Sequence, residues 1–188
     1  MSDQKAMLRM WAAHTAAEFV TRDVDATMRT MTDNPTVLHV PTGMGGVGFD
    51  GVRDFYQQWF VGRNPADLSI VSMSQTIGDA SIVDEMLITF THDIEIPWIL
   101  PAVAPTGKQV RIPVIGIVGF EGADVASERI YWDQAAVLAQ VGLLDSAAAE
   151  RLPFVTTPDG LLDGSLALNQ LAQARRTSQP EQGSGAAS

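Results

Sequence analysis

The sequence predicts an α+β domain in which a strongly bent antiparallel sheet is closed by helices on its concave side, leaving a cone around an internal pocket. Three observations lead there. Helical patterns fill most of the first sixty residues, interrupted by one short strand; four strand patterns then follow in succession; a last helical pattern closes the series. Consecutive strands joined by short loops pair antiparallel, and helices gathered on one side of such a sheet cover only its inner face.

Each element has a local reason. From about Gln4 to Thr32, Leu8, Trp11, Thr15 and Phe19 recur at helical spacing with no Gly or Pro among them. Asp23 is an N-cap candidate for a second short helix carrying Val24, Met28 and Met31. Asn34-Pro35 stops it, because the residue before proline is pushed out of the α region. Thr36 to Pro41 reads as a strand, and Gly43 to Gly48 as a glycine-rich turn whose spacing is neither a P-loop nor a dinucleotide fingerprint. Asp50 can cap a third helix from Gly51 to about Val61. Leu68 to Ile77 and Ile82 to Ile96 are strands joined by a hairpin at Gly78-Asp79-Ala80. In the longer one Met86, Ile88, Phe90, Ile94 and Ile96 share a parity with His92. Three prolines exclude Pro97 to Lys108 from a central strand. Gln109 to Phe120 and Val125 to Asp133 are further strands, and Gln134 to Leu144 is helical. The domain is expected to span 1–153, with a docking extension at 154–176 and a disordered tail at 177–188.

Composition narrows the partners. The 188 residues carry a net charge of −10, and twelve basic residues are scattered, with only Arg175-Arg176 adjacent. That argues against nucleic acid and against an anionic membrane surface, both of which require clustered Lys and Arg. No stretch reaches the ~18 apolar residues of a membrane span. There is no cysteine, and Met1 to Lys5 lacks the layout of a secretory signal, so a cytoplasmic location without disulfides is expected.

Several phrases resemble a known family: His39-Val40-Pro41 before the Gly-Gly turn, Phe55-Tyr56, Val83-Asp84-Glu85-Met86, Phe90-Thr91-His92, Trp98-Ile99-Leu100-Pro101, Pro105-Thr106-Gly107-Lys108, Glu128 to Gln134, and Gly142 to Asp145. With the element order they are similar to the NTF2-like superfamily. The nearer likeness is to its SnoaL-like polyketide cyclase branch, often labelled dienelactone hydrolase or carboxymethylenebutenolidase. The resemblance covers roughly Trp11 to Pro153, and Ala102 and Ala104 depart from it. It implies an NTF2-like cone, a catalytic acid/base at Asp133, and pairing through the exposed face of the sheet. A true α/β-hydrolase needs a nucleophile elbow, and no Gly-x-Ser-x-Gly or Gly-x-Cys-x-Gly occurs.

The residues able to carry chemistry are few. Asp133, at the end of the last strand, is either a desolvated acid/base or the N-cap of the following helix. Tyr131, two residues earlier, faces the same side and is either an oxyanion donor or a wall tyrosine. His92 is the polar exception on an apolar face, and Asp84 shares its parity, so the two form a possible acid/base couple or a structural pair. His39 lies on a strand of mixed pattern. His14 and Glu18 lie one helical turn apart. The three histidines with Glu18, Asp84 or Glu85 could converge on a metal, but none has metal-ligand spacing, so a metal-free and cofactor-free site is expected. Trp11, His14, Phe55, Trp59 and Phe90 are expected around the pocket, with Trp98 and Leu100 at its rim or in a dimer contact.

Three functional classes follow. The first is a cofactor-independent enzyme doing acid/base chemistry (isomerisation, cyclisation, hydration or lactone hydrolysis) on a small hydrophobic carbonyl compound. The second is a non-catalytic carrier with the same pocket. The third is an assembly module. A homodimer is expected because the strand Gln109 to Phe120 is apolar on both parities and helices cover only one. Leu161, Leu162, Leu166, Leu168 and Leu171 are expected to dock the extension.

Overall fold

The structure is a computed structural model, and it describes residues 2–144, 158, 160–165 and 168–169. Helix α1, Ser2–Thr15, runs on as a π-helical stretch, Ala16–Thr21, which stops at Arg22 in the left-handed region (φ 54°). Asp23 caps α2, Val24–Met28, by accepting from the Ala26 amide at 3.0 Å. Strand β1, Met31–His39, pairs with the short β2, Met44–Val47. Helix α3, Gly48–Phe55, also continues as a π-helical turn, Tyr56–Phe60. Then come β3 (Ser69–Ile77), β4 (Ser81–Thr91), β5 (Gln109–Glu121), β6 (Asp124–Trp132) and α4 (Gln134–Gln140).

The six strands form one sheet in the order β2-β1-β6-β5-β4-β3. The expected antiparallel sheet is in fact mixed: β1 runs parallel to β6, and every other pair is antiparallel. Two segments carry more strand than their sequence suggests. Met31 begins β1 instead of ending α2, and Pro35 is tolerated because the β1–β6 register shifts between Met31 and Thr36. The glycine-rich turn supplies β2, where a Cβ on Gly46 would run into the Gly51 carbonyl of α3, so helix and edge strand meet backbone to backbone. The long strand, conversely, ends at Thr91.

Register puts one parity of each strand on the concave face. Asp84 of β4, Gly116 of β5 and Ile130 of β6 lie in one row, and Ile82, Val118 and Glu128 in the next. Met7, Val52, Phe55 and Tyr56 from the helices pack over this face with Phe90, Val110, Ile112 and Val137. The convex face keeps Leu38, Ile115 and Tyr131 exposed. No helix among the described residues is long and apolar enough to cross a membrane. Of the leucines expected to dock the extension, Leu161 is half-buried while Leu162 and Leu168 are exposed; Leu166 and Leu171 lie outside the described residues.

Candidate functional site

Between α1 with its π-helical continuation and the concave face lies a cavity of about 480 Å³. Its apolar walls include Leu8, Phe19, Met86, Ile88 and Val114, and its polar lining includes Glu18, His39, Asp84 and Glu128. Both π-helical turns border it: the first carries Glu18 and Phe19, the second Phe60. A π turn holds an extra residue and is common at functional positions.

His14 organises the deepest polar cluster. The Thr30 hydroxyl donates to the Thr27 carbonyl at 2.5 Å, so it accepts from His14 Nδ1–H at 2.6 Å. That leaves His14 Nε2 facing Glu128 Oε1 at 3.0 Å and Glu18 Oε1 at 3.3 Å. The Tyr56 hydroxyl donates to the same Glu128 oxygen at 2.9 Å. Burial alone would lower the His14 pKa, but the charges of Glu128 and Glu18 and their hydrogen bonds outweigh it and raise it to about 10. His14 is therefore an imidazolium. Burial acts on both carboxyls upward. At Glu128 the His14 charge and the hydrogen bonds from His14 and Tyr56 overcome it and the pKa falls; at Glu18 burial prevails and the pKa rises. Tyr56 is pushed up by burial and by both acids, and keeps its proton. The donor atoms of His14, Glu18 and Glu128 lie within 4.8 Å of one another, close enough to take a cation. The His14 imidazolium already stands at the point between the two carboxyl groups.

A second polar group sits on β4. Asp84 accepts from Trp11 Nε1 at 3.1 Å, Ser72 Oγ at 2.9 Å and Gln75 Nε2 at 3.0 Å. The Trp11 indole stacks on His14, with ring centroids 5.5 Å apart and planes at 15°, and so joins the two clusters. His39 stands apart, its ring 5.1 to 5.3 Å from those of Trp98, Phe55 and Phe60. Burial lowers its pKa to about 4 against the pull of Glu128, so it is neutral, and its Nδ1 has no partner among the described residues.

Of the residues singled out from sequence, the fold brings Trp11, His14, His39, Asp84 and Trp98 to this region. Others lie elsewhere. Asp133 does not line the cavity: it is exposed, and its carboxylate caps α4 through the amides of Ala135 and Ala136 at 2.9 and 3.1 Å. Tyr131 is 38% exposed on the convex face, because β6 turns Glu128, Ile130 and Trp132 inward and the intervening residues outward. His92 is buried away from the lining, with Nδ1 3.1 Å from Thr106 Oγ1, so Asp84 and His92 make no couple. Phe55 and Phe90 are core rather than lining, and Trp59 is 45% exposed. The Trp98–Leu100 segment is no rim. The amides of Ile99 and Leu100 bond back to the Ile96 carbonyl, and Trp98 is locked by Nε1 donating to Asn64 Oδ1 at 2.8 Å; both Trp98 and Leu100 are buried.

Sequence reasoning missed Glu128 and Tyr56 as site residues, and considered Glu18 as a metal ligand or as a hydrogen-bonded partner of His14, the latter being what the structure shows. A signal existed for the first: Glu128 shares the parity of the buried Ile130 and Trp132.

A SnoaL-like domain matches residues 7–128. This chain belongs to that family. Its fold is NTF2-like and resembles several solved structures. One, from Jannaschia sp. CCS1, is described as a SnoaL-like polyketide cyclase: 20% identity over 73% of this chain and 89% of that one, TM-score 0.57. A second is a protein of ketosteroid isomerase-like fold from Catenulispora acidiphila DSM 44928, crystallised with trimethylamine: 14% identity over 71% and 92%, TM-score 0.54. A third is TerC, co-crystallised with polyporic acid: 11% identity over 72% and 98%, TM-score 0.54. At these identities the likeness establishes the fold of this SnoaL-like domain. No curated protein matches the chain.

Proposed function

We propose that this SnoaL-like domain is a cofactor-independent enzyme that moves a proton on a small, largely apolar carbonyl compound held in the cavity. The observation that carries this is Glu18. It is a buried carboxyl on the cavity wall whose pKa is raised by burial, while the adjacent His14 imidazolium stands ready to hold its ionised form. A carboxylate made more basic than usual is suited to take a proton from carbon next to a carbonyl and to return it to carbon or oxygen. Tyr56 and Glu128 fix the imidazole, and the apolar walls hold the hydrocarbon part of the substrate beside Glu18. Isomerisation and cyclisation use such a step, and in hydration or lactone hydrolysis the same carboxylate would take the proton from the attacking water.

The test is solvent-deuterium exchange at the α-carbon of β-tetralone, followed by NMR. Glu18→Gln keeps the shape and removes the base, so exchange should fall about 10²- to 10⁴-fold in a protein that circular dichroism shows to be folded. Undiminished exchange in a folded Gln variant would refute the role. The carrier reading is favoured by Asp84, whose hydrogen bonds to Trp11, Ser72 and Gln75 hold it in place. Binding of β-tetralone with no exchange above buffer in the wild type would select it.

The same reading includes self-association through the convex face. Ile115 of β5 lies opposite Tyr131 of β6, and both are exposed beside Leu38 of β1. Ile115 is 42% exposed at the centre of the sheet, where a second subunit would cover it. Light scattering should give a dimer mass for the wild type and a monomer mass for Ile115→Asp; a monomeric wild type removes this part.

A further inference from the structure

One buried carboxylate on the cavity wall has no part in the proton transfer proposed for Glu18. Asp84 is 5% exposed and lines the cavity, yet it takes part in none of the ion pairs among the described residues, which join His14 to Glu18, His14 to Glu128 and Arg53 to Asp25. Its three hydrogen bonds come from an indole N–H, a hydroxyl and a side-chain amide, all neutral donors. A carboxylate offers about four lone-pair positions, so one remains. Neutral donors hold a carboxylate in place without cancelling its charge, and a buried charge favours an opposite one at contact.

The rest of the lining points the same way. Its titratable residues among the described ones are Glu18, His39, Asp84 and Glu128, and no Lys or Arg joins them. His39 is neutral, and the His14 imidazolium is committed to Glu18 and Glu128. The cavity thus combines apolar walls with an uncompensated negative charge. The location suits exchange with solvent as well, because Ser72 and Gln75, which hold Asp84, are themselves exposed on β3 while also lining the cavity.

We propose that Asp84 is the counter-ion for a ligand ammonium group, so that the cavity selects amines with an apolar body over neutral and acidic compounds of the same shape. This rests on the reading of the cavity as a ligand site, and not on the chemistry of Glu18. An ammonium entering past Ser72 and Gln75 meets the remaining lone pair of Asp84, while its hydrocarbon portion lies along Met86, Ile88 and Val114.

The experiment is calorimetric titration at neutral pH with three probes of one shape: naphthylmethylamine, naphthylmethanol and naphthoate. Wild type should bind the amine about tenfold more tightly than the alcohol, a difference of about 1.4 kcal/mol, and naphthoate more weakly than either. Asp84→Asn removes the charge and should bring amine and alcohol level. Because an amide there also faces the Trp11 and Gln75 donors and could disturb folding, Gln75→Lys provides the second arm. It places a cation beside Asp84 from an exposed position and should likewise abolish the amine preference. Equal binding of amine and alcohol by wild type overturns the proposal, as does a preference that survives both substitutions, or binding of none of the three probes. Equal binding of amine and alcohol by wild type, with Glu18-dependent exchange of β-tetralone intact, would sink this inference alone. An intact preference with no exchange would sink the enzyme reading alone.

Discussion

Replacing His14 with Leu tests the buried ion cluster most directly. The substitution removes the one cation between Glu18 and Glu128 and leaves Glu128 with Tyr56 as its remaining donor. Breaking a buried pair by deleting one partner costs about 3–5 kcal/mol. Linkage gives an independent bound. The His14 pKa is about 10 in the folded protein against 6.5 in its ordinary state, a difference of 10 − 6.5 = 3.5 units. At about 1.36 kcal/mol per unit, His14 protonation contributes at most about 5 kcal/mol. The sign follows from the raised value. The stabilisation is fully present below pH 6.5, falls as pH rises above it, and is gone once pH passes about 10. Urea denaturation of wild type and His14→Leu between pH 6 and pH 10 should show a gap of a few kcal/mol at the acid end that narrows steadily toward the alkaline end. The triple replacement of His14, Glu18 and Glu128 by Leu should regain part of the loss, since an apolar cluster leaves no charge stranded. A His14→Leu protein within about 1 kcal/mol of wild type at pH 6, or a gap that widens with pH, would refute the imidazolium assignment.

Two further outcomes follow from the geometry. Asp133→Asn should leave β-tetralone exchange unchanged and shift stability by only a few tenths of a kcal/mol, because asparagine caps helices as well as aspartate does; an exchange loss of a hundredfold would return the catalytic role to Asp133. Gly46→Ala should cost on the order of 2 kcal/mol or more in urea melts, since its Cβ would collide with the Gly51 carbonyl, and a neutral effect would contradict the contact between β2 and α3.

What the sequence by itself determined was local. The spacing of Leu8, Trp11, Thr15 and Phe19 makes α1 and its π-helical continuation, Gly78-Asp79-Ala80 makes the β3–β4 hairpin, and Asp23 caps α2; each depends on residues within a few positions of one another. The same holds for His14 and Glu18, one helical turn apart and in contact. Alternation along a strand likewise shows which residues share a face, but not which face is inside. In β6 the apparent choice was Tyr131 and Asp133 against Glu128, Ile130 and Trp132, and a glutamate argues against burial when its counter-charge is out of sight. Only the tertiary structure supplied that charge, by laying α1 across the sheet so that His14 meets Glu128 and by bringing in Tyr56 from 72 residues away along the chain. The parallel pairing of β1 with β6 and the inward fold of Trp98 were settled in the same way. Each is a contact between distant segments, whose energy appears only once the chain has closed, so no local pattern records it.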